Sequence, residues 1–132
     1  CTGKKAVVIG RSPVVGKPAA MMLLQKNATV TICHTKTKDM PSIVKEADIV
    51  IVAAGRAGVI GADYLRAGQT IIDVGINVNE EGRLCGDVSF ADAEPLVDAI
   101  TPVPGGVGSV TTSVLVEHVV DAALLKAGLD IL

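Results

Sequence analysis

Short runs of apolar, mostly β-branched residues alternate with longer helix-compatible stretches, and this alternation limits the possible folds more than any other feature of the chain. Four runs of five or six residues are predicted as strands: residues 5–9, which are predicted to be buried, and residues 28–33, 48–53 and 70–75. Between them the sequence predicts a helix with Pro18 in its first turn and short helices over 41–47 and 61–67. Such connections are long enough to cross the sheet, so the strands can pair in parallel.

The last part of the chain predicts three further elements. Residues 77–86 are typical of a hairpin around Glu80-Glu81-Gly82, residues 99–101 of one more strand, and residues 110–127 of a helix that Gly128 ends. Strands that alternate with helices indicate an α/β fold of the Rossmann-like, doubly wound type, with a mostly parallel sheet and helices on both faces. The sequence has no repeat and no interior linker, so residues 1–132 are predicted to form one domain.

Composition excludes several classes of protein. One Tyr, one Phe and no Trp provide almost no surface for bases to stack on, and a net charge of −2 attracts no polyanion, so a nucleic-acid binder is not expected. No apolar run approaches the ~18 residues that predict a membrane span. Three widely spaced cysteines predict neither a metal site nor a disulfide framework and fit a cytoplasmic protein, with Cys33 buried. The chain begins with Cys1 and shows no signal peptide, so we expect a fragment or an excised domain.

The positive charges are concentrated near the beginning of the chain. Residues 1–38 contain seven basic residues and no acidic one, whereas all fourteen acidic residues lie further on. Apart from chance clustering on a solvated surface, this distribution indicates a local anion site in the first part of the fold.

The turn after the first predicted strand has the features of a phosphate site. Gly10 permits a tight turn, and Gly16 permits either close approach of a ligand or close packing of helix on strand. Free N–H groups at the helix start suit a pyrophosphate, and Ser12 can add a hydroxyl donor. The spacing Gly-x-Ser-x-x-x-Gly is weaker than Gly-x-Gly-x-x-Gly, and a plain strand–turn–helix corner is the alternative.

The end of the second predicted strand favours NADP over NAD. NAD-binding domains usually carry an acidic residue there for the ribose 2′-hydroxyl, but residues 33–38 contain none. Arg11 offers a planar fork of donors suited to the 2′-phosphate of NADP, and His34 and Thr35 are expected to assist it. The alternative for His34 is a surface histidine at a strand end.

Residues 101–108 form the most unusual segment, with two prolines and three glycines in eight residues. No regular element accommodates this composition, so the segment is predicted to be a loop that exposes backbone groups to a flat ligand, or else a rigid connector. Asp73 and Asp87 end predicted strands and are expected to cap turns, while Tyr64 and His118 are expected to be structural.

Taken together, these motifs resemble the nucleotide-binding domain of the bifunctional methylenetetrahydrofolate dehydrogenase/methenyltetrahydrofolate cyclohydrolase family. The similarity covers essentially the whole chain and rests on five segments: residues 8–18, 28–34, 73–77, 86–88 and 101–108. It implies a cytoplasmic, usually dimeric enzyme of one-carbon metabolism that takes a tetrahydrofolate derivative as substrate. Such enzymes oxidise 5,10-methylenetetrahydrofolate with NADP and hydrolyse the methenyl product to 10-formyltetrahydrofolate.

The resemblance also implies roles for individual residues. Those expected at the cofactor are Gly10, Arg11, Ser12 and Thr35, with Ile76 beside the nicotinamide and Thr111 near its amide. Those expected to border the folate are Pro104, Gly105, Gly106, Val107 and Gly108, with a cis peptide bond between Val103 and Pro104. Ser109-Val110 stands where the family usually has Pro-Met, which leaves the rigidity of this loop open.

The resemblance predicts no catalytic residue in this chain. In the family the catalytic Lys and its companion Tyr lie on an N-terminal domain that this sequence lacks, so the chain alone is expected to be inactive. Two other functions fit part of the pattern: a different NADP-dependent dehydrogenase, acting on an amino acid or a shikimate-like substrate, and a non-catalytic module that senses NADP. The predicted hairpin offers an exposed strand edge through which two copies could dimerise.

Overall fold

A computed structural model describes residues 1–129 and has a five-stranded parallel sheet at its centre. Its strands are β1 Lys5–Ile9, β2 Thr29–Cys33, β3 Ile49–Val52, β4 Thr70–Asp73 and β7 Ala99–Ile100. They lie in the order β2-β1-β3-β4-β7, and every neighbouring pair is parallel. The predicted α/β, Rossmann-like fold is therefore confirmed.

Helices cover both faces of the sheet because side chains of a strand alternate between the two faces. Val8 of β1 packs with Ala20 of helix α1 (Gly16–Gln25) on one face. Its neighbours Val7 and Ile9 belong to a larger cluster on the opposite face, which Cys33 joins as a fully buried thiol. That face is covered by α2 (Met40–Lys45), a 3-10 helix (Ala62–Tyr64) and α3 (Phe90–Ala93).

The predicted hairpin is also present, as a separate two-stranded sheet. Strands β5 (Asn77–Val78) and β6 (Leu84–Cys85) are antiparallel, with Asn77 opposite Cys85. The apolar side chains of Ile76, Val78 and Leu84 on and beside this hairpin are exposed to solvent.

Three elements differ from the prediction, and one of them is helix α3 (Phe90–Ala93), which was not predicted. The helix predicted over 61–67 is only the 3-10 turn, because the side chains of Arg66 and Gln69 bond to distant backbone carbonyls and hold the chain out of a helix. The last helix, α4 (Val107–Lys126), begins three residues before the predicted start. The hydroxyl of Thr112 donates to the carbonyl of Gly108, four residues earlier, within the first turns of this helix.

Helix α4 carries many large apolar side chains, and none of its twenty residues is buried. The exposed ones are Val110, Val114, Leu115, Val116, Val119, Val120 and Leu125. By length and composition, α4 is the only helix within residues 1–129 that could cross a membrane. Glu117 and Asp121 lie in its middle, where a bilayer disfavours charge.

Candidate functional site

A cleft of about 390 Å³ opens where the strand order of the sheet reverses. From β1 the chain passes to β2 on one side and then returns to β3 on the other side of β1, and the carboxyl ends of these three strands meet at the cleft. In open α/β sheets this is the place where ligands bind. The lining residues are Ile9, Gly10, Arg11, His34, Thr35, Met40, Ala53, Ala54, Arg56, Val59, Ile60 and Tyr64.

The two glycines of the first turn are required by the packing of the backbone. Gly10 has φ +122°, and a Cβ atom there would collide with the carbonyl group of Ala53. A Cβ atom on Gly16 would collide with the carbonyl group of Gly10. Of the two reasons predicted for Gly16, the structure therefore supports close packing of helix α1 against the end of β1.

Hydrogen bonds to Ser12 hold the same turn together. Its Oγ accepts hydrogen bonds from the N–H groups of Val15 (3.0 Å) and Gly16 (3.5 Å), and its carbonyl accepts one from Lys17 (3.0 Å). The hydroxyl proton of Ser12 remains free to be donated, as predicted for a phosphate contact.

These bonds correct one expectation about the helix start. The N–H groups of Val15, Gly16 and Lys17 are occupied within the turn, so they are not free for a pyrophosphate. The N–H groups of Arg11, Ser12 and Val14 make no hydrogen bond within the described chain. The free backbone donors therefore lie in the turn itself, before the first residue of α1.

The structure brings Arg11, His34 and Thr35 together along one side of the cleft. A local turn holds His34: its N–H donates to Thr37 Oγ1 (2.9 Å), and its Nδ1 accepts from the N–H of Lys36 (3.2 Å). With Nδ1 accepting, the neutral ring carries its proton on Nε2. Among residues 1–129 no carboxylate lines this cleft, and two arginines do.

Arg56 was not predicted, and the structure places it on the opposite side of the cleft from β2. Its backbone position depends on Asp87, a fully buried carboxylate 31 residues away. Asp87 accepts hydrogen bonds from the N–H groups of Ala54 (2.6 Å), Gly55 (2.8 Å) and Arg56 (3.0 Å). It also accepts one from the side-chain amide of Asn77 (2.9 Å), and so joins the end of β3 to the hairpin.

Asp73 plays a similar part at the end of β4. Its Oδ1 accepts from the N–H groups of Gly75 (2.9 Å) and Asp87 (3.0 Å), and its Oδ2 accepts from Val88 (2.9 Å). The N–H of Asp73 itself donates to Thr101 Oγ1 (2.9 Å) at the start of the glycine-rich loop. The prediction that Asp73 and Asp87 cap turns is confirmed, and hydrogen bonds from N–H groups hold both carboxylates in place.

A second cleft, of about 220 Å³, lies at the end of β4. Its walls are Asp73–Ile76 with Leu84, residues 102–109 of the loop, and Thr112. Ile76 and the segment from Pro104 to Gly108 thus lie together, as predicted, and the Val103–Pro104 peptide bond is cis. Thr111 does not line this cleft, whereas Thr112, one residue further along α4, does. The hydroxyl of Thr111 donates to the carbonyl of Val107.

Tyr64 packs against the larger core cluster, as predicted, and in addition borders the first cleft. His118 lies on α4 far from either lining set. Within residues 1–129 no group of three or more His, Cys, Asp and Glu side chains could hold a metal ion.

Comparison with known proteins places these features in a family. Residues 1–127 match the model of the tetrahydrofolate dehydrogenase/cyclohydrolase NAD(P)-binding domain. The chain is 58% identical over 129 residues to the bifunctional protein FolD of Carboxydothermus hydrogenoformans, covering 96% of this chain and 45% of that protein. It is 60% identical over 121 residues to FolD of Clostridium botulinum strain Langeland, covering 92% of this chain and 43% of that protein.

Solved structures agree with the sequence comparison. FolD from Campylobacter jejuni superimposes with a TM-score of 0.89 at 46% identity, covering 95% of this chain and 44% of that one. The Trypanosoma brucei enzyme, solved with an NADP cofactor and an inhibitor, gives a TM-score of 0.77 at 42% identity and covers 85% of this chain and 40% of that one. The chain therefore spans less than half of the length of the relatives that it matches.

Proposed function

Because the chain belongs to the tetrahydrofolate dehydrogenase/cyclohydrolase family, we propose that it is the NADP-binding domain of a bifunctional one-carbon enzyme. That enzyme oxidises 5,10-methylenetetrahydrofolate and hydrolyses the 5,10-methenyl product to 10-formyltetrahydrofolate. The observation that carries the proposal is the cleft at the ends of β1, β2 and β3. Two arginines line this cleft, and no carboxylate of residues 1–129 does.

The residues of the first cleft fit the adenosine end of NADP. Arg11 and Thr35, with His34 beside them, hold the 2′-phosphate, since a guanidinium and a hydroxyl both donate to phosphate oxygens. Ser12 donates its hydroxyl to the pyrophosphate, together with the free N–H groups of the turn at Arg11 and Val14. Gly10 and Gly16 keep this turn close enough to the sheet for such contacts.

The second cleft fits the reacting end of the cofactor and the folate. Ile76 borders the nicotinamide, and Pro104, Gly105, Gly106, Val107 and Gly108 border the folate. NADP supplies the hydride acceptor for the methylene carbon, while the protein supplies orientation and exclusion of water. A non-catalytic sensor of NADP would need only the first cleft, so the second cleft favours the dehydrogenase.

We place the proton-transferring groups outside this chain. Within the described part of the chain, Asp73 is the only titratable side chain that lines the second cleft, and three backbone N–H groups already hold its carboxylate. The relatives are more than twice as long as the matched segment, which leaves room for a domain that supplies a base. Accordingly we propose that residues 1–132 bind cofactor without turning substrate over.

We further propose that the enzyme is a cytoplasmic homodimer that binds neither nucleic acid nor membrane. Support comes from the free cysteines, the net charge of −2 and the exposed apolar side chains of the β5–β6 hairpin. Exposed apolar patches of this kind often mark interfaces between proteins.

Two measurements test the main proposal. Calorimetry on the 132-residue chain should give binding of NADP, with NAD binding weaker by about tenfold or more, as expected when a charge-assisted phosphate contact is lost. The complete protein encoded by the gene should form NADPH, seen by its absorbance, when 5,10-methylenetetrahydrofolate is added. Failure to bind either dinucleotide, or formation of NADPH by the short chain alone, would contradict the proposal.

A further inference from the structure

The first cleft has two chemically different halves. At the ends of β1 and β2 it is polar, with Arg11, His34 and Thr35. The other lining residues are largely apolar: Ala53, Ala54, Val59, Ile60 and Tyr64 at and after the end of β3, and Met40 of α2. A phosphate suits the first half, whereas a flat, weakly polar ring suits the second.

Arg56 is the one charged side chain of the apolar half. Two of the four arginines of the chain are engaged within the protein: Arg66 donates to the carbonyls of Lys45, Ala67 and Ala47, and Arg83 pairs with Glu81. The guanidinium groups of Arg11 and Arg56 have no ion pair or hydrogen bond within residues 1–129, and both line the cleft. The two arginines that have no internal partner among these residues therefore line the same cleft.

The position of Arg56 is fixed although it lies in a glycine-rich turn. Its N–H and those of Ala54 and Gly55 all bond to the buried carboxylate of Asp87, so the backbone from which the side chain departs is held at the cleft. A side chain that starts from a fixed point loses less conformational freedom when it covers a ligand.

The strand order separates Arg56 from the polar half. β3 lies on one side of β1 and β2 on the other, so the strand ends that carry Arg56 and Thr35 are two strand spacings apart, roughly 10 Å. Arg11, at the end of the central strand, lies between them. A phosphate held by Arg11 and Thr35 thus leaves Arg56 over the neighbouring, apolar part of the cleft.

We propose that Arg56 stacks its guanidinium plane on the adenine ring of the bound dinucleotide, whose other face rests on the apolar wall that includes Val59 and Ile60. This inference rests on the proposed NADP function and adds to it a residue that recognises the ring and not the phosphate. A guanidinium is planar, delocalised and weakly hydrated, so it stacks on aromatic faces better than an ammonium group does. The chain has only one Tyr and one Phe, so few aromatic side chains could serve instead.

The test compares the dissociation constants of NADP and NAD for the wild type, Arg56→Gln, Arg56→Lys and Arg11→Gln, measured by calorimetry. Arg56→Gln should weaken NADP and NAD by the same factor, about three- to tenfold. Arg56→Lys should remain weakened, because it keeps the charge but not the plane. Arg11→Gln should weaken NADP far more than NAD. Arg83→Gln, which removes an exposed arginine outside the cleft, serves as the matched control and should change neither constant.

Adenosine 2′,5′-bisphosphate and nicotinamide mononucleotide extend the test to the two ends of the cofactor. The loss in Arg56→Gln should persist with the first and be absent with the second. Loss of NADP binding alone would overturn the inference, because Arg56 would then be a phosphate ligand. Unchanged constants in Arg56→Gln, with wild-type NADP binding intact, would also overturn it and leave the proposed function standing. A wild type that binds neither dinucleotide would overturn the proposed function together with this inference.

Discussion

The backbone N–H of Asp87 donates to the carboxylate of Asp73 at 3.0 Å, so two buried acidic residues form one hydrogen-bonded network. Through this network the end of β3, the end of β4, the hairpin and the start of the glycine-rich loop are tied to each other. The end of β3 contributes to the first cleft, and the end of β4, the hairpin and the loop contribute to the second. Asp73 and Asp87 therefore link the walls of the two clefts to each other.

Replacing Asp87 by Asn should destabilise the domain and loosen the turn at Arg56. The carboxylate accepts four N–H bonds, and an amide in its place would present an N–H group to some of those donors. We expect the free energy of unfolding to fall by about 2–4 kcal/mol, measured by urea denaturation. Asp92→Asn, at an exposed carboxylate, is the control, and equal urea midpoints for the two variants would contradict the prediction.

Gly16→Ala should destabilise the turn between β1 and α1. The added Cβ would press on the carbonyl of Gly10, so strand and helix must move apart at a cost of about 1–3 kcal/mol. Gly108→Ala is a suitable comparison, because nothing lies within 4 Å of its added Cβ and alanine favours the helix that begins there. A thermal midpoint of Gly16→Ala at or above that of the wild type would show that the collision is absent.

Arg11→Ala should reduce the affinity for NADP much more than the affinity for NAD. Arg11 lines the polar half of the cleft, where no carboxylate competes for its guanidinium. Loss of a charge-assisted contact to the 2′-phosphate corresponds to about 1.5–3 kcal/mol, or roughly 10- to 100-fold in the NADP dissociation constant. Equal losses for NADP and NAD would rule out this role for Arg11.

Cys33 should be the least reactive of the three thiols. Burial raises the pKa of the Cys33 thiol above its ordinary value, and the hydrogen bond with Thr37 lowers it only in part. Iodoacetamide should therefore label exposed Cys1 first and Cys33 last, as followed by mass spectrometry of the peptides. Labelling of native Cys33 as fast as Cys1 would be the contrary result.

The same shift predicts how stability depends on pH. The pKa of Cys33 is higher in the folded state than in the unfolded state. Its contribution to the free energy of unfolding is therefore complete at pH values below the ordinary thiol pKa, and it is lost as the pH rises through the folded pKa. The unfolding free energy should therefore decline in this alkaline range. Cys33→Ala should show a smaller decline, and an identical pH profile for both proteins would exclude the linkage.

Val78→Lys should weaken the proposed dimer. Val78 is 65% exposed on the hairpin, and a lysine there would place an unpaired charge in an apolar contact. Sedimentation should show a dissociation constant raised by at least about tenfold. Met22→Lys changes an equally exposed apolar residue on α1 and should leave the constant unchanged. A wild type that is monomeric at high concentration would contradict dimerisation through this domain.

The sequence predicts the sheet well because its strands are short runs rich in β-branched residues and the central ones are largely buried, as residues 5–9 and 48–53 illustrate. Predictions fail where distant side chains decide the local backbone. The segment after Gly61 is held out of a helix by Gln69, whose amide reaches the carbonyls of Val44 and Ala47. The start of α4 was predicted too late because its first residues lie at the glycine-rich end of the loop.

The sequence likewise predicts part of the candidate site. Arg11, His34 and Thr35 follow strands that pair with each other, so the topology alone brings them together. Arg56 was missed because its place depends on Asp87, 31 residues further along, and no local pattern records that contact. Thr112, the residue after Thr111, lines the second cleft, because one residue along a helix turns the side chain by about 100°.

Helix α4 joins an exposed apolar surface to the wall of the second cleft. Gly108 and Thr112, on its first turns, form part of the wall of the second cleft, while the apolar side chains further along it face outwards without a cover. A protein that covers those side chains would therefore contact the same helix that forms part of the wall of the second cleft.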